Sequence, residues 1–303
     1  MDGRQDGPAG SGFPGAISVQ AEDFARRLAA VEPSRLAAAA QASVGGLHAL
    51  VAALRPSSDE FRLAIDFLTE VGHYADSRRQ EWVLFADVLG VSALVEDQTA
   101  PRPPGATPNT AAGPFYRADV PMMPLGASIS RDGRGEPLDV EGVVSARDGG
   151  RIGGARVEVW HANAEGVYEN QEPDRQPEFN LRGCFRADAE GRFRFASVKP
   201  RGYALPSDGP VGRLMTMLGL GLERPAHIHF RVSADGFETL TTHVFDRADP
   251  AIDRDAIFAV KPELKADFRP LPGSGNGRRH ALAVGFVLCP SDRAGISGTT
   301  GRK

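Results

Sequence analysis

Residues 227–245, HIHFRVSADGFETLTTHVF, hold two stretches of alternating apolar and polar side chains separated by Asp235-Gly236. An Asp-Gly pair between two such stretches predicts a β-hairpin with a tight turn. The alternation places His227 and His229 on one face of the first strand. The opposite face carries the apolar residues Ile228, Phe230 and Val232. We expect this apolar face to line a core and the two histidines to project together to the other side.

Two further segments show the same design. In residues 137–162 the pattern predicts a strand, an Asp-Gly-Gly turn and a second strand, and residues 183–198 repeat this arrangement. Within the second segment, Phe193 and Phe195 share one face while arginines occupy the other. One short helix is predicted near residues 211–218. Repeated hairpins without long intervening helices predict an antiparallel β-sandwich.

The N-terminal part of the chain predicts helices instead. Over residues 19–97 alanine, leucine and charged residues dominate, and apolar side chains recur near the helical period. In residues 57–76 this spacing forms an apolar stripe, with Ser58 as the expected N-cap. A second helix is predicted from about residue 77 to residue 90. Four prolines in residues 98–109 then mark a linker.

The predicted organisation follows from these patterns. The fold class is mainly β, an antiparallel β-sandwich domain with an N-terminal α-helical region that serves dimerisation. The predicted segments are a disordered tail (1–18), the helical dimerisation region with its linker (19–106), the β-sandwich domain (107–290) and a flexible tail (291–303).

Composition excludes several classes of protein. Lys+Arg 35 against Asp+Glu 39 gives a net charge of -4, which provides no electrostatic footprint for nucleic acid or an anionic membrane. We expect no apolar run long enough to span a bilayer and no signal peptide in residues 1–15. Two cysteines, Cys184 and Cys289, lie outside any C-x-x-C pair and are expected to be buried thiols. These observations predict a cytoplasmic protein without a membrane partner.

Four side chains indicate a metal centre. Tyr168, Tyr203, His227 and His229 lie within about sixty residues of one another, near glycine, proline or a strand pattern. Two phenolate oxygens and two imidazole nitrogens form a hard, anionic donor set that suits Fe(III). Alone, the histidine pair also fits a solvated strand face, and each tyrosine also fits a packed aromatic residue. Together the four predict a non-haem ferric site.

Several motifs make a family resemblance specific. The segments are GPFY (113–116), VEVWHANAEGVY (157–168), RGYALPSDGPVG (201–212) and RPAHIHF (224–230). Over roughly residues 107–260 the chain resembles the intradiol ring-cleavage dioxygenases. The helical segment IDFLTEVGH…RRQEWVLFADVLGVSALV (65–95) resembles the dimerisation region of the catechol and hydroxyquinol 1,2-dioxygenase branch.

The resemblance implies a chemistry for the four donors. Each chain would hold one non-haem Fe(III), with Tyr168, His227 and His229 remaining bound while Tyr203 leaves and accepts a substrate proton. Arg224 would stabilise negative charge that develops on the ring. Both atoms of O2 would enter a catecholic ring between its two adjacent hydroxyl-bearing carbons. The branch further implies a homodimer, with lipid bound at the interface.

The resemblance also implies a substrate pocket. Its residues would be Leu84, Asp87, Gly113, Pro114, Phe115, Leu205, Pro206 and Ile257. The carboxylate of Asp87 gives a physical reason for a third ring hydroxyl, because it can accept a hydrogen bond from one. We therefore expect hydroxyquinol (benzene-1,2,4-triol) as substrate and 3-hydroxy-cis,cis-muconate, the tautomer of maleylacetate, as product. His243 is expected beside the metal ligands and not as a fifth ligand.

Three other interpretations of the sequence can be compared with this one. The chain could instead be a catechol or substituted-catechol 1,2-dioxygenase that gives cis,cis-muconates. A cupin-type oxygenase also uses H-x-H, but it requires a glutamate a few residues later, which HIHFRVSAD lacks. A non-catalytic β-sandwich binding module would require neither the paired tyrosines nor a metal. Bound iron and visible colour separate that module from an oxygenase.

Overall fold

A computed structural model describes residues 18–76, 79–272 and 278–291 of the chain. The described residues combine helices and strands and form two compact units, with the boundary between Glu70 and Val71. The predicted helical N-terminal region and the strand-rich remainder are both observed, and together they make the described chain a mixture of helices and strands. Of the two predicted tails, only Ser18 and Ser291 fall among the described residues.

The first unit contains helices α1 (Val19–Leu28) and α2 (Arg35–Leu54) and the start of α3 (Ser58–Tyr74). The side chains of Ser18 and Ser34 accept hydrogen bonds from backbone N–H groups in the first turns of α1 and α2. Such N-caps satisfy donors that have no partner within the helix.

The N-cap of α3 differs from the prediction by one residue. The hydroxyl of Ser57, not Ser58, accepts from the Glu60 N–H at 3.2 Å, and the Glu60 carboxylate accepts from the Ser57 N–H at 2.7 Å. This reciprocal pair is a capping box, which requires Glu or Gln three residues after the cap. Residues 57 and 58 are both serine, so either could cap the helix. Glu60 lies three residues after Ser57, and this spacing selects Ser57 as the cap.

Helix α2 corrects the expectation that no apolar run could span a bilayer. By length and composition alone, this 20-residue helix suffices to cross a membrane, because an 18-residue stretch of it has a mean hydropathy of 1.4. None of its residues is buried within the described structure. Alanine and leucine dominate the helix, so its apolar character is spread around the axis. The core helix of a soluble protein meets the same criterion.

The second unit adds two helices, a strand-rich region and a further helix. The predicted helix of residues 77–90 begins later than expected, as α4 (Glu81–Val88), and α5 (Val91–Thr99) follows. The predicted short helix is confirmed as α6 (Pro210–Met217). The strands are β1 (Pro137–Ala146), β2 (Arg156–Trp160), β3 (Arg182–Arg186), β4 (Arg192–Val198), β5 (Tyr203–Ala204), β6 (Glu223–Arg224), β7 (His227–Ser233), β8 (Leu240–Asp246), β9 (Lys265–Ala266), β10 (Arg269–Leu271) and β11 (Arg279–Leu288).

The strands form a sheet in the order β10-β11-β1-β4, a sheet in the order β3-β2-β7-β8-β9 and the small pair β5-β6. The hairpin of β7 and β8 around Asp235-Gly236 is confirmed by antiparallel pairing from His227 with Phe245 to Val232 with Leu240. An entirely antiparallel pairing is not observed, because β1 pairs with β11 and β8 pairs with β9 in parallel.

The other two predicted hairpins are wrong. The Asp-Gly-Gly turn forms, with Ala146 N–H donating to Gly150 O at 2.8 Å, but β1 and β2 belong to different sheets. After the single bridge between Ser145 and Arg151 the chain leaves the first sheet and enters the second. Strands β3 and β4 are divided between the sheets in the same way. Alternation identifies the buried face of a strand, but it does not identify the strand's partner.

The two larger sheets contribute side chains to a common hydrophobic core. Buried side chains from both sheets form a single cluster, and the rings of Phe230 on β7 and Phe286 on β11 join them with centroids 4.8 Å apart. Phe193 and Phe195 of β4 belong to the same cluster, as their alternation predicted. Full burial of each such ring contributes about 1.5–3 kcal/mol. This core holds strand β7, and hence its histidines, in a fixed position.

Candidate active site

Strand β7 carries the two histidines on the side away from the core. Ile228, Phe230 and Val232 are fully buried in the core cluster, as predicted. His227 and His229 are also buried, at 2% exposure each, so the histidine face is not a solvated strand face. The register places His229 opposite Trp160 on β2 and opposite His243 on β8. Neighbouring strands therefore enclose the imidazoles on both sides.

The two tyrosines approach these histidines from different segments. Tyr168 follows β2 and directly precedes a 3₁₀ turn (Glu169–Gln171), and Tyr203 begins β5. The Tyr168 hydroxyl oxygen lies 3.1 Å from Nε2 of His229. The ring centroids of Tyr203 and His227 are 5.7 Å apart, and those of the two tyrosines are 6.0 Å apart. The four candidate ligands therefore form one cluster.

Gly166 allows the two tyrosine segments to meet. Its φ of +85° lies in the left-handed region, and a Cβ at this position would lie 2.9 Å from Cβ of Tyr203 and 3.0 Å from the carbonyl oxygen of Gly202. A side chain here would strain the backbone and push the segment that carries Tyr203 away. The glycine two residues before Tyr168 is thus required for the close approach.

Arg224 lies against two members of this cluster, Tyr203 and His227. Its Nη1 lies 3.3 Å from the Tyr203 hydroxyl and 3.4 Å from Nε2 of His227, and its Nε donates to Oδ1 of Asp255 at 3.1 Å. Burial opposes the charge of Arg224, but the charges of Tyr203 and Asp255 outweigh it and hold its pKa above the ordinary value. Arg224 therefore supplies a permanent positive charge inside a buried site.

The protonation states suit metal ligation by nitrogen. Burial, followed by the charge of Arg224, lowers the pKa of His227 well below its ordinary value, and burial also lowers the pKa of His229. Both imidazoles are therefore neutral near pH 7, which is the form that binds metal. Nδ1 of His227 donates to the carbonyl oxygen of Pro225 at 2.7 Å. This bond fixes the ring and leaves the Nε2 lone pair available.

The phenol of Tyr168 favours its protonated form in the absence of a cation. Burial raises the pKa of Tyr168 well above its ordinary value, and the neighbouring Tyr203 raises it further. A buried phenol of this kind stays protonated at neutral pH, and only a bound cation would make it a phenolate. The donor set is therefore chemically suited to a highly charged metal ion.

A third imidazole, that of His243, joins the pair. The candidate donor atoms of His227, His229 and His243 all lie within 4.8 Å of one another, and the rings of His229 and His243 are 4.0 Å apart. Nδ1 of His243 is hydrogen-bonded to the hydroxyl of Thr110. Its Nε2 is buried, as is Nδ1 of His229, and neither has a hydrogen-bond partner among the described residues. Buried donor atoms of this kind fit a site that receives a metal and substrate.

Some of the predicted pocket residues contact the candidate metal ligands, and for most of the others only burial bears on their place in a pocket. Phe115 stacks on Tyr168 with centroids 4.3 Å apart, and a Cβ on Gly113 would lie 3.6 Å from Cε1 of His229. Asp87 is half-buried; burial raises its pKa, while a hydrogen bond with Ser92 and the charge of Arg224 oppose that rise. Leu84, Leu205 and Ile257 are half-buried and Pro114 and Pro206 are exposed, and their place in a pocket remains a prediction.

Sequence reasoning missed three features around the ligands. Trp160 stacks on His229, with centroids 4.7 Å apart and planes 12° from parallel. The carboxylate of Glu169, next to Tyr168, accepts from Nε of the fully buried Arg182 at 2.7 Å. Asp255 holds Arg224, as described above. Each lies close in sequence to a residue chosen from the motifs or the pocket prediction, but only the structure pairs it with its partner.

Two family models match this chain. The model described as "Dioxygenase" matches residues 112–289, and that described as "Catechol dioxygenase N terminus" matches residues 34–107. The second match includes all of α2, which places this apolar helix within a region shared by the family.

Individual relatives agree with these matches. The chain is 47% identical to a hydroxyquinol 1,2-dioxygenase of Rhizobium sp. (strain MTP-10005), over 79% of this chain and 81% of that protein. It is 38% identical to a 6-chlorohydroxyquinol 1,2-dioxygenase of Cupriavidus pinatubonensis, over 81% and 87%. The structure of a hydroxyquinol 1,2-dioxygenase from Pseudomonas putida DLL-E4 superposes with a TM-score of 0.86 at 32% identity, over 90% and 98%. The chain therefore belongs to the intradiol ring-cleavage dioxygenases, an iron-dependent enzyme family, and to its branch of catechol and hydroxyquinol 1,2-dioxygenases.

Proposed function

We propose that this enzyme cleaves hydroxyquinol (benzene-1,2,4-triol) between its two adjacent hydroxyl-bearing carbons. Both atoms of O2 enter the product, 3-hydroxy-cis,cis-muconate, which tautomerises to maleylacetate. The observation that carries the proposal is the convergence of Tyr168, Tyr203, His227 and His229 on one buried cluster beside Arg224. The hydroxyquinol enzymes among the relatives support the choice of substrate.

Tyr168, Tyr203, His227 and His229 would hold one non-haem Fe(III) per chain. When bound, Fe(III) supplies the positive charge that keeps the phenols ionised and activates the chelated diolate towards O2. The neutral imidazoles and the hard phenolate oxygens fit this ion by their donor chemistry. His243 stands beside the cluster, held by Thr110, and contacts the ring of His229.

The two tyrosines have different roles in this proposal. Tyr168 is 1% exposed, stacks on Phe115 and precedes a short helical turn, so it stays in place. Tyr203 is half-buried and belongs to a strand of two residues. A catecholic substrate must lose two protons to chelate, and the released Tyr203 phenolate accepts one of them. Arg224 lies within hydrogen-bonding reach of that hydroxyl and stabilises the negative charge of the bound diolate.

Asp87 gives the pocket its preference for the triol. Its half-buried carboxylate lies close enough to Arg224 for the two charges to interact. A third ring hydroxyl donates a hydrogen bond to this carboxylate, whereas with catechol the carboxylate keeps only its hydrogen bond with Ser92. The missing hydrogen bond costs about 1–3 kcal/mol, or a preference of roughly ten- to a hundredfold. Leu84, Gly113, Pro114, Phe115, Leu205, Pro206 and Ile257 complete the walls of this proposed pocket.

We further infer that the enzyme is a cytoplasmic homodimer with a β-sandwich catalytic domain. The contact between Phe230 and Phe286 supports packing of the two sheets as a sandwich. Within the first unit, Leu36, Leu47 and Leu54 of α2 are each at least 60% exposed, and such apolar surface is typical of an interface. Lipid bound at that interface remains a prediction from the family resemblance.

The experiment is a comparison of kcat/KM for benzene-1,2,4-triol and catechol, with identification of both products. The proposal expects the triol to be preferred by roughly ten- to a hundredfold and to give maleylacetate. A preference for catechol, with cis,cis-muconate as the main product, would overturn the substrate assignment and leave the reaction class intact. A product in which the ring opens beside the two hydroxyls, and not between them, would overturn the reaction class.

A further inference from the structure

A buried carboxylate outside the metal cluster joins two segments that are distant in sequence. Glu81 lies in the first turn of α4 and has no exposed surface. Its Oε1 accepts from the backbone N–H of Val211 in α6 at 3.1 Å, and its Oε2 accepts from Nε of Arg79 at 2.9 Å. A buried carboxylate requires such partners, because an unpaired one costs several kcal/mol.

Arg79 extends this network to the surface. Its Nη1 lies 2.8 Å from both carboxylate oxygens of Asp208, and its guanidinium stands over the ring of Tyr74. Between these partners the backbone comes so close that a Cβ on Gly209 would lie 2.3 Å from Oε1 of Glu81. Only glycine permits this approach. We call Glu81, Arg79, Asp208 and the Val211 N–H the Glu81 network.

The Glu81 network lies between two proposed walls of the substrate pocket. On one side it fixes α4, whose residues Leu84 and Asp87 follow Glu81 by three and six positions. Six helical residues span about 9 Å along the axis, so a shift or tilt at Glu81 is transmitted to Asp87. On the other side it holds Asp208 and Val211, which follow Tyr203, Leu205 and Pro206 within the same stretch of chain.

We propose that Glu81 and Arg79 are positioning residues that set the distance between Asp87 and the segment of Tyr203, and thereby the preference for a triol. This inference rests on the proposed function. Within the part of the chain that the structure describes, the hydrogen bonds of Glu81 and Arg79 do not reach the four candidate iron ligands. Loss of the network therefore lets α4 move relative to the iron-bound ring. The third hydroxyl then no longer meets Asp87, while catechol, which lacks that hydroxyl, loses less.

The test compares the full-length protein with Glu81→Gln, Arg79→Lys and Asp208→Asn. Glu81→Gln keeps the shape of the side chain but replaces one of the two accepting oxygens by an amide NH2 group, which cannot accept a hydrogen bond from Arg79 or Val211. Asp208→Asn changes only the exposed end of the network. Asp267→Asn is the matched control, because this exposed carboxylate also pairs with an arginine, Arg247. Iron per chain, KM and kcat are measured for the triol and for catechol.

The expected result is a change in specificity at constant iron content. Glu81→Gln lowers the triol-to-catechol ratio of kcat/KM at least about tenfold, and Asp208→Asn lowers it about threefold, with the loss mainly in KM for the triol. Asp267→Asn keeps the wild-type ratio. If Glu81→Gln does not fold, Arg79→Lys and Asp208→Asn decide the outcome by the same ratio.

Two results overturn the inference in distinguishable ways. Folded, iron-loaded variants that keep the wild-type ratio, or that lose triol and catechol turnover equally, show that the Glu81 network does not control specificity. A wild-type protein that does not cleave the triol contradicts the proposed function itself, and the inference falls with it.

Discussion

The hydroxyl oxygen of Tyr168 lies 3.1 Å from Nε2 of His229, although 61 residues separate the two in the chain. The hydroxyl of Tyr203 has a different neighbour, Nη1 of Arg224 at 3.3 Å. One phenol is thus packed against an imidazole in a fully buried site, while the other faces a permanent positive charge from a half-buried position. Two residues of the same type therefore have surroundings that suit a fixed ligand and a ligand that departs.

The first prediction separates these two tyrosines. Tyr168→Phe would remove the proposed fixed phenolate ligand, so we expect the purified protein to lose most of its iron and its visible colour. Tyr203→Phe should retain iron with an altered visible band and lose turnover by at least about a hundredfold, because the base that accepts the substrate proton is absent. Metal analysis and visible spectra of the two variants provide the measurement.

Tyr116→Phe is the matched control for both variants. Its hydroxyl lies 3.2 Å from Glu158, and its ring contacts Trp160, outside the four-residue cluster. We expect iron content and turnover within about twofold of wild type, because the variant loses only one hydrogen bond at a half-buried position. Iron loss in all three variants would mean that the tyrosines act through folding, not through ligation.

The second prediction concerns the buried pair of Arg224 and Asp255. Arg224→Lys removes the planar fork that reaches Tyr203, His227 and Asp255 together, and we expect kcat/KM to fall about 100- to 1000-fold with iron content unchanged. In Asp255→Asn we expect kcat/KM to fall less, because Arg224 itself remains. Arg231→Lys, at a partly exposed arginine paired with Glu158, is the control. Unchanged turnover in Arg224→Lys would remove this residue from the mechanism.

The third prediction tests the specificity assigned to Asp87. Asp87→Asn replaces the carboxylate that would accept a bond from the third hydroxyl, so the triol-to-catechol ratio of kcat/KM should fall by roughly ten- to a hundredfold. Asp97→Asn, at an exposed carboxylate on the neighbouring helix α5, should leave the ratio unchanged. If both variants keep the wild-type ratio, the third hydroxyl is bound elsewhere.

The fourth prediction is a pH dependence of stability at His161. This side chain is buried, its Nδ1 lies 2.8 Å from the carbonyl oxygen of Ala162, its Nε2 lies 2.7 Å from the hydroxyl of Ser197, and burial lowers its pKa to about 4. The unfolded chain titrates near 6.5, so between these values it binds a proton that the folded protein does not. The stability that the neutral His161 side chain contributes to the folded protein is therefore fully present above about pH 6.5 and is lost as the pH falls towards 4.

Urea unfolding at pH 7 and pH 5 provides the measurement. From His161 alone we expect the free energy of unfolding to fall by about 2 kcal/mol between the two pH values. His161→Gln should remove this share of the pH dependence, whereas His73→Gln, at an exposed position on α3, should not. The comparison must be made at one iron content. Equal pH dependence in wild type and His161→Gln would show that folding does not lower the pKa of this imidazole.

Some parts of this fold could be predicted because residues close together in the sequence determine them. The alternation around Asp235-Gly236 determines both the hairpin and the face of His227 and His229, and the structure confirms them. The same argument failed for β1 and β2, because a turn can form while the chain continues into another sheet. Capping of α3 was misplaced by one residue for a local reason, the spacing between Ser57 and Glu60.

The candidate site shows a similar division. Tyr168, Tyr203, His227, His229 and Arg224 were chosen from motifs, and the structure brings them into one cluster. The Glu81 network was not predictable, because a buried carboxylate such as Glu81 resembles any helix-surface glutamate in the sequence. Val211, which donates to it, lies 130 residues away. Contacts between distant segments depend on the fold, and no local spacing encodes them.

The most direct measurement of the central claim is the visible spectrum of the purified protein, with iron quantified, before and after anaerobic addition of benzene-1,2,4-triol. A ferric centre ligated by Tyr168 and Tyr203 predicts one iron per chain and a red to burgundy phenolate-to-iron band. The band should shift when the triol displaces Tyr203, and admission of O2 should yield maleylacetate. A colourless, iron-free preparation that cleaves the triol at the full rate would contradict the account.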